Sequence, residues 1–203
     1  MLGLGHAITG SPQPISWKLI ETYTADWSSG VDGWASHSNN DSAATLTHGV
    51  TFEGKSNALR VQFNADETGT GSSGPGIIKS NVFSTAIQLF DFAEITCDIY
   101  LDSAYDSTGD GSDDKTDLFD GTDVVHMRFE MIAGRYDGVN VGQNTWVGID
   151  TTFDRPPDYD EARGSTSDEL AIIFDAADDL PQNGARFYVH NYVAKLYRPT
   201  SFG

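Results

Sequence analysis

The chain has 203 residues with 30 acidic and 12 basic side chains, which gives a formal net charge of −18. This charge excludes a nucleic-acid backbone as the ligand, because each phosphate contact needs a basic group, and it leaves a bound cation or a merely solvated acidic surface open. The length fits one domain with a sizeable core, and the single cysteine, Cys97, can form no internal disulfide.

The first sixteen residues, MLGLGHAITGSPQPIS, consist mainly of Gly, Pro and small residues, with no Lys or Arg before Lys18. They lack the basic start and the unbroken apolar run of a secretion signal or a membrane helix, so we expect no membrane partner. We predict an extended arm over residues 1–16 and a single domain over residues 17–203. The arm lies either along its own domain or against a neighbouring subunit.

Ten β-strands are predicted, each a run of β-branched or aromatic residues bounded by Gly, Asn, Asp or Ser. No break in composition divides the chain, and only residues 85–92 are compatible with a short helical turn. The chain is therefore predicted to be all-β. The strands cover residues 17–25, 33–36, 43–48, 58–63, 76–83, 94–101, 123–133, 145–150, 169–175 and 186–198.

The last of these strands, RFYVHNYVAKLYR at 186–198, is apolar on both faces and contains neither Gly nor Pro. Such a composition is typical of a central strand. A central strand that comes last must close a sheet formed by earlier strands, as in a jelly-roll β-sandwich. Strict alternation would place Phe187, Val189, Asn191, Val193 and Lys195 on one face and Tyr188, His190, Tyr192, Ala194 and Leu196 on the other.

Aromatic side chains that face a groove can stack on sugar rings. Trp146 lies on a predicted strand, and Tyr136 lies in a turn-rich segment with Arg135 and Asp137, which can supply hydrogen bonds. We predict these four residues as a carbohydrate site, although packing in the core is the commoner fate of Trp and Tyr. The tryptophans predicted to be core or turn anchors are Trp27 and Trp34.

The loop at residues 106–117, DSTGDGSDDKTD, has oxygen ligands at the spacing of a twelve-residue calcium loop. Gly111 takes the turn position, and the bidentate Glu usual at the last position is replaced by a shorter Asp. A solvated Asp-rich and Gly-rich loop explains the same residues, so Ca²⁺ stays an alternative. The candidate ligands are Asp106, Thr108, Asp110, Ser112, Asp114 and Asp117.

Catalytic chemistry has little support in the sequence. The five histidines show no metal-ligand spacing, no serine lies in a nucleophile elbow, and no pair of carboxylates stands out. Cys97 shares one face of a predicted strand with Ile95, Ile99 and Leu101, as a small core residue does. We therefore expect that the protein is not an enzyme.

Three segments resemble the landmarks of jelly-roll carbohydrate-binding modules, in the same order and over residues 18–198. The resemblance implies a jelly-roll fold and glycans as partners. In that family, an Asp in the motif of the last strand commonly supports a structural calcium ion. The matching position here is His190, and His is a poor ligand for a hard cation. The matching segments are 24–27 with 33–34, 54–61 and 187–193.

The opening MLGLG at residues 1–5 is similar to the short arm that precedes a β-sandwich in several phage virion proteins. This resemblance implies a non-catalytic capsid decoration or cement protein, assembled in the host cytoplasm, with its own copies and other virion proteins as partners. The alternative function is a carbohydrate-binding module or a tail component that recognises host glycans. The predicted subunit contacts are Leu2, Leu4, Ile8 and Tyr159.

Overall fold

The computed structural model describes residues 16–37, 44–67, 74–88, 91–102, 124–131, 136–151, 169–174 and 181–201. These residues form eleven strands and no helix, so they contain no helical membrane span. The strands are β1 (Ser16–Thr24), β2 (Ala35–His37), β3 (Thr45–Phe52), β4 (Lys55–Gln62), β5 (Gly76–Ser80), β6 (Phe92–Asp102), β7 (Val124–Met131), β8 (Tyr136–Gly142), β9 (Trp146–Thr151), β10 (Glu169–Phe174) and β11 (Arg186–Ser201).

Two antiparallel sheets make a sandwich. One has the order β3-β4-β11-β6-β9, with β1 also paired to β11, and the other has the order β2-β5-β10-β7-β8. The last eight strands pair as β4 with β11, β5 with β10, β6 with β9 and β7 with β8, and successive pairs alternate between the sheets. This nesting is the jelly-roll topology. The predicted all-β jelly-roll sandwich is therefore confirmed.

The core lies between the sheets and is rich in aromatic rings. Phe63 contacts Phe174 edge-on, with ring centroids 5.7 Å apart, and Phe187 packs against both. Trp27 and Trp34 are 2% and 3% exposed, which confirms them as core residues. Cys97 is also buried, and burial raises the pKa of its thiol well above the usual value, so it behaves as the small apolar residue that was predicted.

Strand β11 is central, as predicted, but its faces are not those of strict alternation. The pairing with β6 shifts between His190 and Val193, and Asn191 has a left-handed backbone, with φ of 51°. Asn tolerates this conformation, and the bulge that it opens reverses the side-chain alternation. The core-facing residues of β11 are therefore Phe187, Val189, Tyr192, Ala194 and Leu196.

Strand β8 was not predicted. Its sequence, YDGVNVG, contains two Gly, an Asp and an Asn, which are typical of turns. The strand forms because it lies at the sheet edge and pairs with β7 over seven residues. Pairing to a formed neighbour overrides a weak local preference for the extended conformation.

The short helical turn that residues 85–92 were predicted to tolerate is not found in the described part of this segment. Residues 85–88 are not helical, and Phe92 already begins β6. The Asp91 amide donates to the Gln88 carbonyl over 3.0 Å, and the Gln88 amide donates to the Asp91 carboxylate over 2.8 Å. These reciprocal bonds satisfy the backbone without a helix.

Several predicted features lie outside the described residues and stay predictions. Within residues 1–16, only Ser16 is described, and it is the first residue of β1. The undescribed candidates include the calcium-loop residues 106–117. The others are the arm residues Leu2, Leu4 and Ile8, the loop residue Tyr159, and Arg135.

A candidate binding face on the six-stranded sheet

Five residues from five neighbouring strands lie opposite one another on the six-stranded sheet. In strand order they are Thr47, Arg60, Tyr188, Tyr100 and Trp146. We call these five residues the aromatic row, after the three aromatic side chains at its centre and end. On each strand at least one immediate neighbour packs in or against the core, and on the three middle strands both neighbours do. Because strand side chains alternate, the aromatic row lies on the outer face of the sheet, away from the core.

The hairpin between β3 and β4 covers the middle of the aromatic row. Phe52 stacks on Tyr188 with ring centroids 3.8 Å apart and an interplanar angle of 5°, and it contacts Tyr100 edge-on. As a result, Tyr188 and Tyr100 are only 3% and 8% exposed. Trp146 is half-buried, so part of its ring stays open to solvent, while its Nε1 donates to the Glu53 carbonyl over 3.3 Å.

A charged cluster lies beside Trp146. The Asp98 carboxylate, on β6, accepts from Lys55 Nζ at 2.5 Å and from His190 Nδ1 at 3.0 Å through the same oxygen, Oδ2. Lys55 Nζ also lies 4.8 Å from the centroid of the Trp146 ring. Burial alone would raise the pKa of Asp98, but the bonds from Lys55 and His190 outweigh it and hold that pKa below its usual value. Asp98 is therefore an ionised acceptor at neutral pH.

An open notch lies above Gly148, beside Trp146 and this cluster. Gly148 follows Trp146 on the same face of β9 and lies opposite Asp98. A methyl group built on Gly148 would have Asp98 Oδ1, 4.0 Å away, as its nearest neighbour, so nothing fills the space above the glycine. Among the described residues, Asp98 Oδ1 accepts no hydrogen bond. We call the space bounded by Trp146, Gly148, Asp98 and Lys55 the Trp146 notch.

A cavity of about 410 Å³ adjoins the same cluster. It lies where β1 ends and β4 begins, since both strands pair with the same side of β11, on either side of its bulge. His190 lines this cavity and also binds Asp98, so the cavity and the Trp146 notch share a wall. The other lining residues are Thr24, Ala25, Asp26, Trp27, Ser56, Asn57, Asn191 and Val193.

The structure separates the residues predicted from sequence as a carbohydrate site. Trp146 opens β9 in the six-stranded sheet, whereas Tyr136 opens β8 in the five-stranded sheet, at the end remote from Trp146. At about 3.3 Å per residue, β8 separates them by roughly 20 Å of strand. The structure describes only the backbone of Tyr136 and Asp137, so a contact of either side chain with sugar stays a prediction.

The partners that the structure does bring to Trp146 are Lys55, Asp98 and His190, which sequence analysis did not place there. They come from three strands that are far apart in sequence. The sequence held one signal of this site: on each of two strands, a polar and an aromatic residue lie two positions apart and so share a face. These pairs are Asp98 with Tyr100 and Tyr188 with His190. Only the strand register shows that these pairs lie side by side.

His190 occupies the position of the Asp that supports calcium in the resembled family. Here it binds the Asp98 carboxylate, which Lys55 also neutralises. Within the described ranges, no group of three or more His, Cys, Asp or Glu side chains could hold a metal ion. The calcium alternative for residues 106–117 is outside these ranges and stays a prediction.

Among solved structures, the chain is similar to several carbohydrate-binding modules. One is a family 11 module from Clostridium thermocellum in complex with a β-1,3-1,4-mixed-linked tetrasaccharide, with 14% identity over 85% of this chain and 94% of that one and a TM-score of 0.46. A second is the xylan-binding module of family 15, with 10% identity over 88% and 97% of the two chains and a TM-score of 0.47. Similarity at this level is not evidence of a shared ligand. No protein-family model matches the sequence, and no curated protein matches it.

Proposed function

We propose that the protein is a non-catalytic glycan-binding module and that the Trp146 notch is its site. The observation that carries this proposal is the half-open Trp146 ring beside the unused acceptor Asp98 Oδ1 and the Lys55 ammonium. A sugar ring has an apolar C–H face and a rim of hydroxyls that both donate and accept hydrogen bonds. The notch offers an aromatic surface, an acceptor and a donor within one small space, which is the combination that such a ligand needs.

Each residue has a defined role in this proposal. Trp146 stacks on the sugar face, and Gly148 leaves room for the ring above the sheet. Asp98 accepts from one hydroxyl through Oδ1, while Lys55 donates to another. His190 holds Asp98 Oδ2 and so fixes the direction in which Oδ1 points.

The same cluster argues against hydrolysis at this face. A glycosidase needs one carboxylic acid with a raised pKa that can protonate the leaving group. Asp98 has a lowered pKa and is therefore ionised at neutral pH. The next carboxylate along β6 on this face, Asp102, is paired with Arg186 at 2.7 Å. Asp98 is therefore arranged to hold charge rather than to donate a proton, and Asp102 is engaged in an ion pair.

Replacing Trp146 with Ala is expected to weaken glycan binding about fivefold or more, because stacking on an aromatic ring contributes about 1 to 3 kcal/mol. The measurement is a glycan array that identifies a bound oligosaccharide, followed by titration calorimetry of wild type and variant. Leu19→Ala is the control, since Leu19 is 46% exposed on β1 and lies outside the notch. Unchanged affinity in Trp146→Ala, or no glycan bound by the wild type, would count against the proposal.

The structural virion role stays a prediction of the sequence. Its predicted contacts are in residues 1–15 and at Tyr159, outside the described residues, and no described contact favours it over glycan binding. A tail component that binds host glycans would combine both expectations, and the Trp146 notch would then be its receptor site.

A further inference from the structure

Arg60 lies on the aromatic row, and none of the carboxylates that the structure describes is paired with it. It sits on β4 opposite Thr47 on one side and Tyr188 on the other. Its Nη2 donates to Thr47 Oγ1 over 3.1 Å, and its Nε is buried and makes no hydrogen bond. Among the described residues, no Asp or Glu lies within ion-pair distance of this guanidinium.

Two other basic side chains on this face are paired with carboxylates. Lys55 binds Asp98, and Arg186 binds Asp102. In a chain with 30 acidic residues, a half-buried arginine that has no carboxylate partner among the described residues is costly, because the desolvation of its charge is not compensated there. Such a cost is expected where an anion from outside completes the pair.

We propose, building on the glycan-binding function above, that the glycan is anionic and that Arg60 binds one of its carboxylates. The planar guanidinium presents parallel N–H donors that match a carboxylate in two bonds. The bond to Thr47 holds the guanidinium in one orientation beside the row. The ligand class is therefore an oligosaccharide that contains uronic acids.

Arg60 and Trp146 can contact the same ligand. They lie on β4 and β9, with β11 and β6 between them, so three strand spacings of about 4.8 Å separate them by roughly 14 Å. An oligosaccharide covers this length and a single sugar does not. Between them Phe52 is half-buried and covers Tyr188, so the path across the row has an apolar floor.

A polyphosphate is a poor alternative source of the anion. Each nucleic-acid phosphate needs its own basic partner, whereas Arg60 is one guanidinium in a chain of charge −18. A glycan that carries one carboxylate among neutral hydroxyls needs only one basic partner, and Arg60 can supply it. Sulfated sugars share the negative charge but not the planar two-oxygen geometry, and the experiment separates them.

The test is titration calorimetry of the whole chain with oligosaccharides of galacturonate, guluronate and mannuronate. The methyl ester of whichever binds best is the matched uncharged ligand. The acid is expected to bind about tenfold or more tightly than its ester, the gain that a charge-assisted bidentate bond provides. Arg60→Gln is expected to abolish this preference, and Arg60→Lys to keep part of it. Lys18→Gln, which removes the same charge from an exposed position on β1, is expected to leave it unchanged.

Equal binding of acid and ester by the wild type would overturn the role of Arg60 but leave glycan binding in place. A preference that survives in Arg60→Gln would overturn it as well, provided that the variant melts at the wild-type temperature. A stronger preference for sulfated oligosaccharides than for uronates would overturn the carboxylate assignment. If no glycan of any charge binds, the proposed function itself fails.

Discussion

Replacing Arg198 with Met is expected to lower the free energy of unfolding by about 3 to 5 kcal/mol, because it leaves a buried carboxylate without its counter-ion. Arg198 Nε and Nη2 donate to the two oxygens of Asp91 at 2.8 and 2.6 Å, and Asp91 is fully buried. The hydrogen bonds to Asp91 raise the pKa of Arg198 further, so the guanidinium keeps its charge at any ordinary pH. Urea denaturation of wild type and variant measures the loss.

The control for this prediction is the double variant Arg198→Met with Asp91→Asn. The amide is neutral but can still accept from the Gln88 backbone, as the carboxylate does at 2.8 Å. We expect the double variant to be more stable than Arg198→Met alone, since no uncompensated charge remains. A loss below about 1 kcal/mol in the single variant would show that water replaces the arginine without penalty, which is the behaviour of a surface pair.

Replacing Gly76 with Ala is expected to cost about 3 kcal/mol or more, because the added methyl group has no room. A Cβ on Gly76 would lie 1.9 Å from the backbone carbonyl oxygen of Ile172 on β10. Gly76 pairs with β2 and β10, so relief of the clash must displace strands in the middle of the five-stranded sheet. Denaturation midpoints at constant m-value measure this cost.

Gly142→Ala is the matched control, because it adds the same methyl group to another strand glycine. Its Cβ would meet only Thr145 Cγ2, at 4.0 Å. We expect Gly142→Ala to change the free energy of unfolding by less than about 1 kcal/mol. Equal effects at the two positions would mean that general glycine propensity, not the contact with Ile172, sets the cost at Gly76.

The central architecture could be predicted from the sequence because it depends on apolar side chains. The run of aromatic and β-branched residues from Arg186 onward requires burial on both faces, and this requirement puts β11 in the middle of its sheet. The alternation around Cys97 likewise identifies a core face on β6. The fold keeps to such patterns because the burial of apolar area is the largest favourable contribution to the free energy of folding.

The candidate site could not be predicted, because it depends on strand register and on a local backbone irregularity. Lys55, Asp98 and His190 meet only because three strands align at one level. The left-handed Asn191 changes which β11 side chains reach the outer face, and no periodic pattern shows where a bulge occurs. Arg60 appears in sequence as an ordinary strand residue, and only the structure shows that it binds Thr47 and meets no carboxylate within the described part of the chain.

The most direct test of the Trp146 notch as a glycan site is calorimetric titration of the best array ligand into Gly148→Val. The new side chain enters open space on the outer face, and valine suits a strand, so we expect a melting temperature equal to or above that of the wild type. We predict that glycan binding is lost, because the methyl groups occupy the notch. A Gly148→Val protein that binds the ligand with wild-type affinity would contradict this assignment.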